Sequence, residues 1–263
     1  EVCQDYATNF GKHSDHHVIV CDGCSSSPMT DVGARLLALT ASYVLSTSGL
    51  SADFYNIVHT IVQLIKSKYA HELLMNPFIF DATLLIAQEY KSAFNHFIRT
   101  LMYGDGMLVA KHHNSDTVTV ININYKLGHP EYLSYKFDQG REENYKAIQE
   151  VCDSDVFTCR LIDTHLHVPQ TISTHPSGPS HVYSFPVNEY DWITIMSDGI
   201  CSFYEKESRQ PISQYRVIQE LLNFKMYQGK FVQRRLNAFK KKCIELGWEH
   251  YDDLSIATIY TGE

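Results

Sequence analysis

The chain has 263 residues, of which 44% are hydrophobic and 20% charged, and it carries a net charge of −8. This length can bury a sizeable core, and the acidic balance argues against a sequence-independent nucleic-acid binder, which would carry a basic stripe. No apolar stretch reaches transmembrane length and no signal peptide is visible, so we expect a cytoplasmic protein that does not act at a membrane.

The seven cysteines are scattered along the chain, which predicts thiols in a reducing compartment rather than a disulfide framework. Cys21 and Cys24 form a Cys-x2-Cys pair, but no second pair follows at zinc-finger spacing. His165 and His167 would share one face of a strand. Zinc is a lesser alternative at either place.

The N-terminal part of the chain predicts two strands and then a pair of helices. The segments "YATNF" and "HHVIVCDG" are typical of strands, and Thr30 or Asp31 can cap the helix that follows. Apolar residues at steps of three and four predict the buried stripe of this helix: Val32, Leu36, Leu39 and Tyr43. A second helix is expected from about Ala52, with its own stripe: Phe54, Ile57, Ile61 and Leu64.

From Phe78 to Tyr125 the pattern changes to strands. Four β-rich runs are "ATLLIAQ", "AFNHFIRTLMYGDG", "MLVAKHH" and "TVTVININY", and "HHNSD" predicts a hairpin turn between the last two. Residues 126–190 are less regular, with a short helix predicted for "EENYKAIQEVCD" and an exposed loop for "HLHVPQTISTHPSGPSH".

The C-terminal part predicts a buried strand, "WITIMSDG", then two helices and a final strand, "DDLSIATIY". One face of the later helix is apolar: Val232, Leu236, Phe239, Cys243 and Leu246. Two clusters of helices and many antiparallel-type strands predict an α+β fold with four layers, α-β-β-α, in which two antiparallel β-sheets are flanked by helix pairs. Nothing marks a linker, so we expect one domain over residues 1–263.

Four carboxylates stand at predicted strand ends or in tight turns: Asp22, Asp105, Asp198 and Asp252. A protein core rejects an unpaired charge, whereas the ends of several strands can converge in space. Converging carboxylates repel each other unless a cation lies among them. Oxygen ligands suit Mg²⁺ or Mn²⁺, and a glycine after the aspartate lets a backbone carbonyl approach the metal.

Five segments carry a resemblance to a known family: "CQDYA", "VIVCDGCSSSPMTDVGARLLA", "LMYGDGMLVA", "YDWITIMSDGICSF" and "YDDLSIATIY". In this order they are similar to the motifs of the metal-dependent protein serine/threonine phosphatases of the 2C type, in a bacterial-like form. The resemblance covers nearly the whole chain. It implies a β-sandwich flanked by helix pairs and a binuclear Mn²⁺/Mg²⁺ centre. It also implies a phosphoprotein substrate, attacked in line at phosphorus by a metal-bound water.

The resemblance also implies roles for individual residues. Asp22 would bridge the two metal ions, and Gly23 would offer its carbonyl to one of them. Asp198 and Asp252 would ligate the other ion. Asp22 and Asp198 would therefore be the catalytic residues, acting through the metal-bound water. Asp105 would join Asp198 at a third, weaker metal site.

Asp5 matches an acidic residue that acts mainly through metal-bound water, but the sequence departs from the family pattern nearby and elsewhere. Cys24 stands where the family often has His, Gly106 where Ser is usual, and Asp253 where Asn is usual. A phosphate-binding Arg expected shortly before Asp5 is not seen. Two alternatives stay open: a binding module without turnover on the same fold, and a hydrolase of small phosphoesters.

Overall fold

Two antiparallel β-sheets form the centre of the protein, in a computed structural model that describes residues 3–12, 15–48, 53–69, 76–125, 128–149, 154–162, 165–166 and 181–262. The first sheet has five strands in the order β1 (Tyr6–Lys12), β2 (Asp15–Cys21), β3 (Leu84–Lys91), β4 (His96–Tyr103) and β9 (His181–Pro186).

The second sheet has six strands, in the order β13 (Ile256–Tyr260), β10 (Tyr190–Met196), β5 (Gly106–His112), β6 (Val118–Tyr125), β7 (Ser154–Ile162) and β8 (His165–Leu166). A separate two-stranded ribbon pairs β11 (Phe203–Glu205) with β12 (Trp248–His250). The turn "HHNSD" joins β5 to β6, as predicted.

Three clusters of buried side chains show how the layers pack. Helices α1 (Thr30–Ser48) and α2 (Phe54–Tyr69) share one cluster with the first sheet. Helices α4 (Gln214–Leu221) and α5 (Phe231–Leu246) share another with the second sheet. The third cluster lies between the two sheets. The predicted four-layer α-β-β-α arrangement is therefore confirmed.

The remaining helix, α3 (Gln139–Gln149), follows a 3₁₀ turn at Leu133–Phe137. Within the described parts of the chain, no helix is long and apolar enough to cross a membrane.

The alternation along β2 shows why the sheet can be covered on both faces. Val18 and Val20 belong to the cluster between the sheets, whereas Ile19 and Cys21 belong to the cluster under α1 and α2. Successive residues of a strand point to opposite faces, so an unbroken apolar run predicts a strand that is buried on both sides. Asp22 therefore follows a strand whose two faces are both buried.

The buried face of α1 differs from the predicted stripe. Leu39 is 46% exposed and Tyr43 is 58% exposed, so the prediction that they face the core is wrong. The face in contact with the sheet instead carries these residues: Ala34, Leu37, Ala38, Ala41, Val44 and Leu45. Small side chains let a helix approach its neighbour closely. The close approach is visible at Gly33, where a Cβ atom would lie 1.5 Å from the carbonyl oxygen of Ile79.

The other predicted stripes are confirmed. In α2, Phe54, Ile57 and Ile61 are buried. In α5, Phe239 and Cys243 are buried and the rest of the stripe packs against the same cluster. The loop predicted for residues 165–181 falls mostly outside the described residues, as does the predicted helix end beyond residue 149. Of this loop, 165–166 form β8 and His181 begins β9.

Candidate active site

The predicted site residues lie at one end of the β-sandwich. Asp22 directly follows β2, Asp105 stands in the turn between β4 and β5, and Asp198 comes two residues after β10. The strand register places Met196, at the end of β10, beside both Met107 and Ile256. These three strands all belong to the second sheet. The first sheet reaches the same place through Asp22, which follows β2 and interacts with Asp198.

Asp22 lies among other carboxylates. Burial, together with the charges of Asp5 and Asp198, raises the pKa of the Asp22 carboxyl to about 11. The neighbours that contribute most to this shift are themselves carboxylates. Like charges that are held together without a counter-ion favour the protonated form, so the structure brings Asp5, Asp22 and Asp198 into one electrostatic unit.

Ser197 holds Asp5 through one of its two carboxylate oxygens. The hydroxyl of Ser197 donates to Oδ2 of Asp5 at 2.7 Å, and Ser197 Oγ accepts from the backbone N–H of Ser255 at 3.0 Å. Burial is the largest cause of the raised pKa of Asp5, while a proton shared with Asp22 opposes that shift. Oδ1 of Asp5 is buried, and when both carboxyls are ionised no donor within the described part of the chain reaches it.

Asp105 and Asp252 lie at the edge of this unit. Burial, and then the charges of Asp198 and Asp252, raise the pKa of Asp105 to about 7. Asp252 is exposed, and its pKa is raised by partial burial and by the charge of Asp198. All six predicted positions are therefore found at this end of the protein: Asp5, Asp22, Gly23, Asp105, Asp198 and Asp252.

Two glycines of the Asp-Gly pairs are required by close backbone contacts. A Cβ atom on Gly23 would lie 2.9 Å from Cβ of Thr30 and 3.0 Å from the carbonyl oxygen of Gln4. A Cβ atom on Gly199 would lie 1.8 Å from the carbonyl oxygen of Asp253. The Asp-Gly loops can therefore pack against their neighbours only because glycine has no side chain.

The oxygen atoms at this end of the protein match the ligands that a hard divalent cation prefers. Carboxylate oxygens and backbone carbonyls are the ligands that Mg²⁺ and Mn²⁺ prefer, and the buried Oδ1 of Asp5 lacks a donor. Among the described residues, however, no group of three or more His, Cys, Asp or Glu side chains is arranged as a ready-made metal-ligand set.

The structure gives no support to a zinc site at Cys21 and Cys24, and it does not test one at His165 and His167. Cys21 is buried under the helices, whereas the Cys24 thiol is partly exposed and lies 3.0 Å from the Ser26 hydroxyl. The two side chains therefore have different surroundings. His167 lies outside the described residues, so its pairing with His165 stays a prediction. Among the cysteines whose side chains the structure describes, five are free thiols: Cys3, Cys21, Cys24, Cys201 and Cys243.

Sequence reasoning missed the residues that position the predicted ones. Ser197 binds Asp5, and the backbone N–H of Gln4 donates to Oδ2 of Asp253 at 2.8 Å. The second contact ties the segment before β1 to the segment before β13. Ser197 could have been found because it directly precedes Asp198 in "MSDG", but the Gln4 contact spans 249 residues and leaves no local trace in the sequence.

Comparison with known proteins gives an independent result. A family profile described as protein phosphatase 2C matches residues 1–239. No curated protein sequence matches the chain.

Several solved structures share the fold. A bacterial serine phosphatase is 14% identical, with a TM-score of 0.55 over 100% of this chain and 93% of that chain. The serine/threonine phosphatase Stp1 from Staphylococcus aureus is 12% identical, with a TM-score of 0.55 over 100% and 90%. A sex-determining protein from C. elegans is 12% identical, with a TM-score of 0.50 over 100% and 62%.

Proposed function

Because the chain belongs to the protein phosphatase 2C family, we propose that it is a Mg²⁺- or Mn²⁺-dependent phosphatase of phosphoserine and phosphothreonine in proteins. We take residues 1–263 as one catalytic domain. The observation that carries the proposal is the uncompensated carboxylate unit of Asp5, Asp22 and Asp198, at the point where the strand ends of both sheets meet.

The chain's own residues divide the work of holding the metal ions. Asp22 would be a ligand to both ions, the Gly23 carbonyl would be a ligand to one of them, and Asp198 and Asp252 would hold the other. Asp105 borders Asp198 and would support a third ion. Bound Mg²⁺ or Mn²⁺ would supply an acidified water and would neutralise phosphate charge.

Asp5 would orient its neighbours rather than ligate directly. Ser197 fixes one carboxylate oxygen of Asp5, which leaves the buried Oδ1 free to accept a hydrogen bond from water at the metal centre. The Ser197 hydroxyl in turn accepts from the Ser255 backbone. These contacts join Asp5 to Ser197, which directly precedes Asp198, and to Ser255, which follows Asp252 closely in the chain. The three carboxylates are therefore held relative to one another.

No covalent phosphoenzyme is expected in this proposal. No cysteine of the sequence is followed by the Cys-x5-Arg arrangement that would hold a phosphate over a thiolate. Cys24 lies beside the Asp22–Gly23 pair and bonds with Ser26, so it is a neighbour of the site. Turnover should therefore survive Cys24→Ser within a few-fold.

The test is hydrolysis of a phosphoserine or phosphothreonine peptide, and of p-nitrophenyl phosphate, in Mn²⁺ and in chelator. We expect both substrates to be hydrolysed only with metal, and Mn²⁺ to raise the melting temperature. Mn²⁺ binding without any turnover would instead indicate the binding module. Turnover of the small ester alone would indicate a small-phosphoester hydrolase, and loss of activity in Cys24→Ser with metal still bound would contradict the water mechanism.

A further inference from the structure

A second carboxylate, Asp81, lies beside the site and is fully compensated. It follows the 3₁₀ turn Pro77–Phe80 and is only 4% exposed. Its Oδ1 accepts from the Ser134 hydroxyl at 2.6 Å, and its Oδ2 accepts from the Ser27 hydroxyl at 3.0 Å. Nη2 of Arg141 donates to both oxygens, at 2.8 and 3.0 Å. Asp81 thus gathers groups from three separate parts of the chain.

The backbone of Asp81 is also tied to the Asp-Gly loop. The Asp81 carbonyl accepts from the Cys24 N–H at 2.8 Å, and the Thr83 N–H donates to the Asp22 carbonyl at 2.8 Å. The Asp22 N–H donates to Oγ1 of Thr83 at 2.9 Å. The stretch from Asp22 to Cys24 therefore runs alongside the stretch from Asp81 to Thr83 as a continuation of the sheet.

Asp81 contacts the Asp-Gly loop through its side chain as well as its backbone, because its carboxylate accepts a hydrogen bond from Ser27. Ser27 lies in the same loop as Gly23, and its backbone N–H donates to the Cys24 carbonyl at 3.1 Å. The loop is therefore attached to Asp81 at two points: Cys24 binds the main chain and Ser27 binds the carboxylate. On its other side Gly23 faces Thr30 and Gln4 with no room for a Cβ atom between them, so the loop is confined from both directions.

We propose that Asp81 is a positioning residue for the metal-binding loop at Asp22–Gly23. It holds the loop through Ser27, while Arg141 pairs with the buried carboxylate and fixes its orientation. The inference rests on the proposed function only in taking Asp22 and Gly23 as metal ligands. Groups that hold the ligands of a metal commonly change metal affinity about 10- to 100-fold when removed.

The partners of Asp81 allow a purely structural role to be distinguished from a positioning role. Ser134 and Arg141 come from the 3₁₀ turn Leu133–Phe137 and from α3, so their bonds to Asp81 attach that segment to the first sheet. Ser27 comes from the Asp-Gly loop and attaches only the loop. Both serines donate to the Asp81 carboxylate, but only Ser27 belongs to the Asp-Gly loop. Alanine variants of the two therefore form a matched pair.

The experiment compares Ser27→Ala with Ser134→Ala in the full chain. Mn²⁺ affinity is measured by isothermal titration calorimetry, the melting temperature is measured in chelator, and turnover of a phosphopeptide is measured at saturating Mn²⁺. We expect Ser27→Ala to weaken Mn²⁺ binding about tenfold, with a small change in melting temperature and with kcat largely restored by excess Mn²⁺. Ser134 is fully buried, so Ser134→Ala should lower the melting temperature and leave Mn²⁺ affinity within about twofold.

The outcomes separate this inference from the proposed function. Unchanged Mn²⁺ affinity in Ser27→Ala, or equal weakening in both variants, would overturn the positioning role while the phosphatase proposal stands. Mn²⁺ binding by the wild type without turnover would overturn the phosphatase proposal, and the affinities of the two variants would still decide the role of Asp81. Absence of any Mn²⁺ binding by the wild type would overturn both.

Discussion

Asp22 and Asp81 lie on adjacent stretches of the first sheet, yet their surroundings are opposite. Asp81 is surrounded by donors: two hydroxyls and the guanidinium of Arg141, which is also stacked on the ring of Phe78 at 4.3 Å. Asp22 faces two further carboxylates, and burial together with their charges raises its pKa to about 11. One carboxylate is stabilised by its neighbours and the other is opposed by them.

The difference separates a carboxylate that holds the chain in position from a carboxylate that we propose as a metal ligand. A buried charge that serves the fold is given its hydrogen bonds and its counter-charge inside the protein. A buried charge that would bind a metal ion can keep its hydrogen bonds, but it is left without an internal counter-charge, because a cation of the protein would compete with the metal. The compensation around a carboxylate therefore indicates its role more directly than its burial does.

The largest effect should come from removing a ligand charge. Asp198→Asn should reduce phosphopeptide turnover at saturating Mn²⁺ by more than about a hundredfold, since even residues that merely hold ligands change metal affinity about 10- to 100-fold. Steady-state kinetics across a Mn²⁺ titration is the measurement, and circular dichroism controls for folding. A wild-type rate in this variant would remove Asp198 from the site.

Removing the compensated charge should instead damage the fold. Asp81→Asn leaves the guanidinium of Arg141 buried without its counter-ion, and Nη1 of Arg141 already lacks a partner among the described residues. We expect the free energy of unfolding in chelator to fall by about 3 kcal/mol, measured by urea titration. Arg99 is a matched control because its guanidinium, like that of Arg141, lies over aromatic rings, in this case Phe54 and Tyr90. Its ion pair with the exposed Asp53 is long, at 3.8 Å. Asp53→Asn should therefore change stability little.

A buried group that has no charged neighbour in the described part of the chain isolates the effect of burial. His181 is 5% exposed, and burial alone lowers its pKa to about 4. Because the folded-state pKa lies below the unfolded value near 6.5, the contribution to stability is present above pH 6.5 and is lost as the pH falls towards 4. Between pH 7 and pH 5, the wild type should lose about 2 kcal/mol more than His181→Asn. Parallel urea titrations at the two pH values measure the difference, and equal losses would show that His181 stays solvated.

The smallest effect should have the opposite sign to that of Asp81→Asn. Asp22→Asn removes one charge from the uncompensated unit, so the metal-free protein should gain about 1 kcal/mol in the free energy of unfolding after allowance for solvent screening. Differential scanning fluorimetry in chelator and in Mn²⁺ tests this. The variant should be more stable than wild type in chelator and should gain less from Mn²⁺. Destabilisation in chelator would mean that Asp22 is compensated after all.

Much of the fold could be predicted because its signals are local. The apolar run before Asp22 predicts a strand that is buried on both faces, and the steps of three and four in α2 and α5 predict the faces that are in fact buried. The face of α1 could not be predicted in this way. Leu39 and Tyr43 continue the apolar spacing but are exposed. The buried face is set by packing against distant parts of the chain, such as the 3₁₀ turn that Gly33 meets at Ile79.

The sequence by itself determined that carboxylates stand where strands end: Asp22 after "VIVC" and Asp198 after "ITIMS" are visible without any structure. "PFIFDA" has the same local form, with Asp81 at the end of an apolar run. Only the tertiary structure decided that these aspartates differ, because the partners of a side chain come from distant parts of the chain. Ser134 and Arg141 lie 53 and 60 residues beyond Asp81, whereas the folded chain places Asp5 and Asp198 beside Asp22.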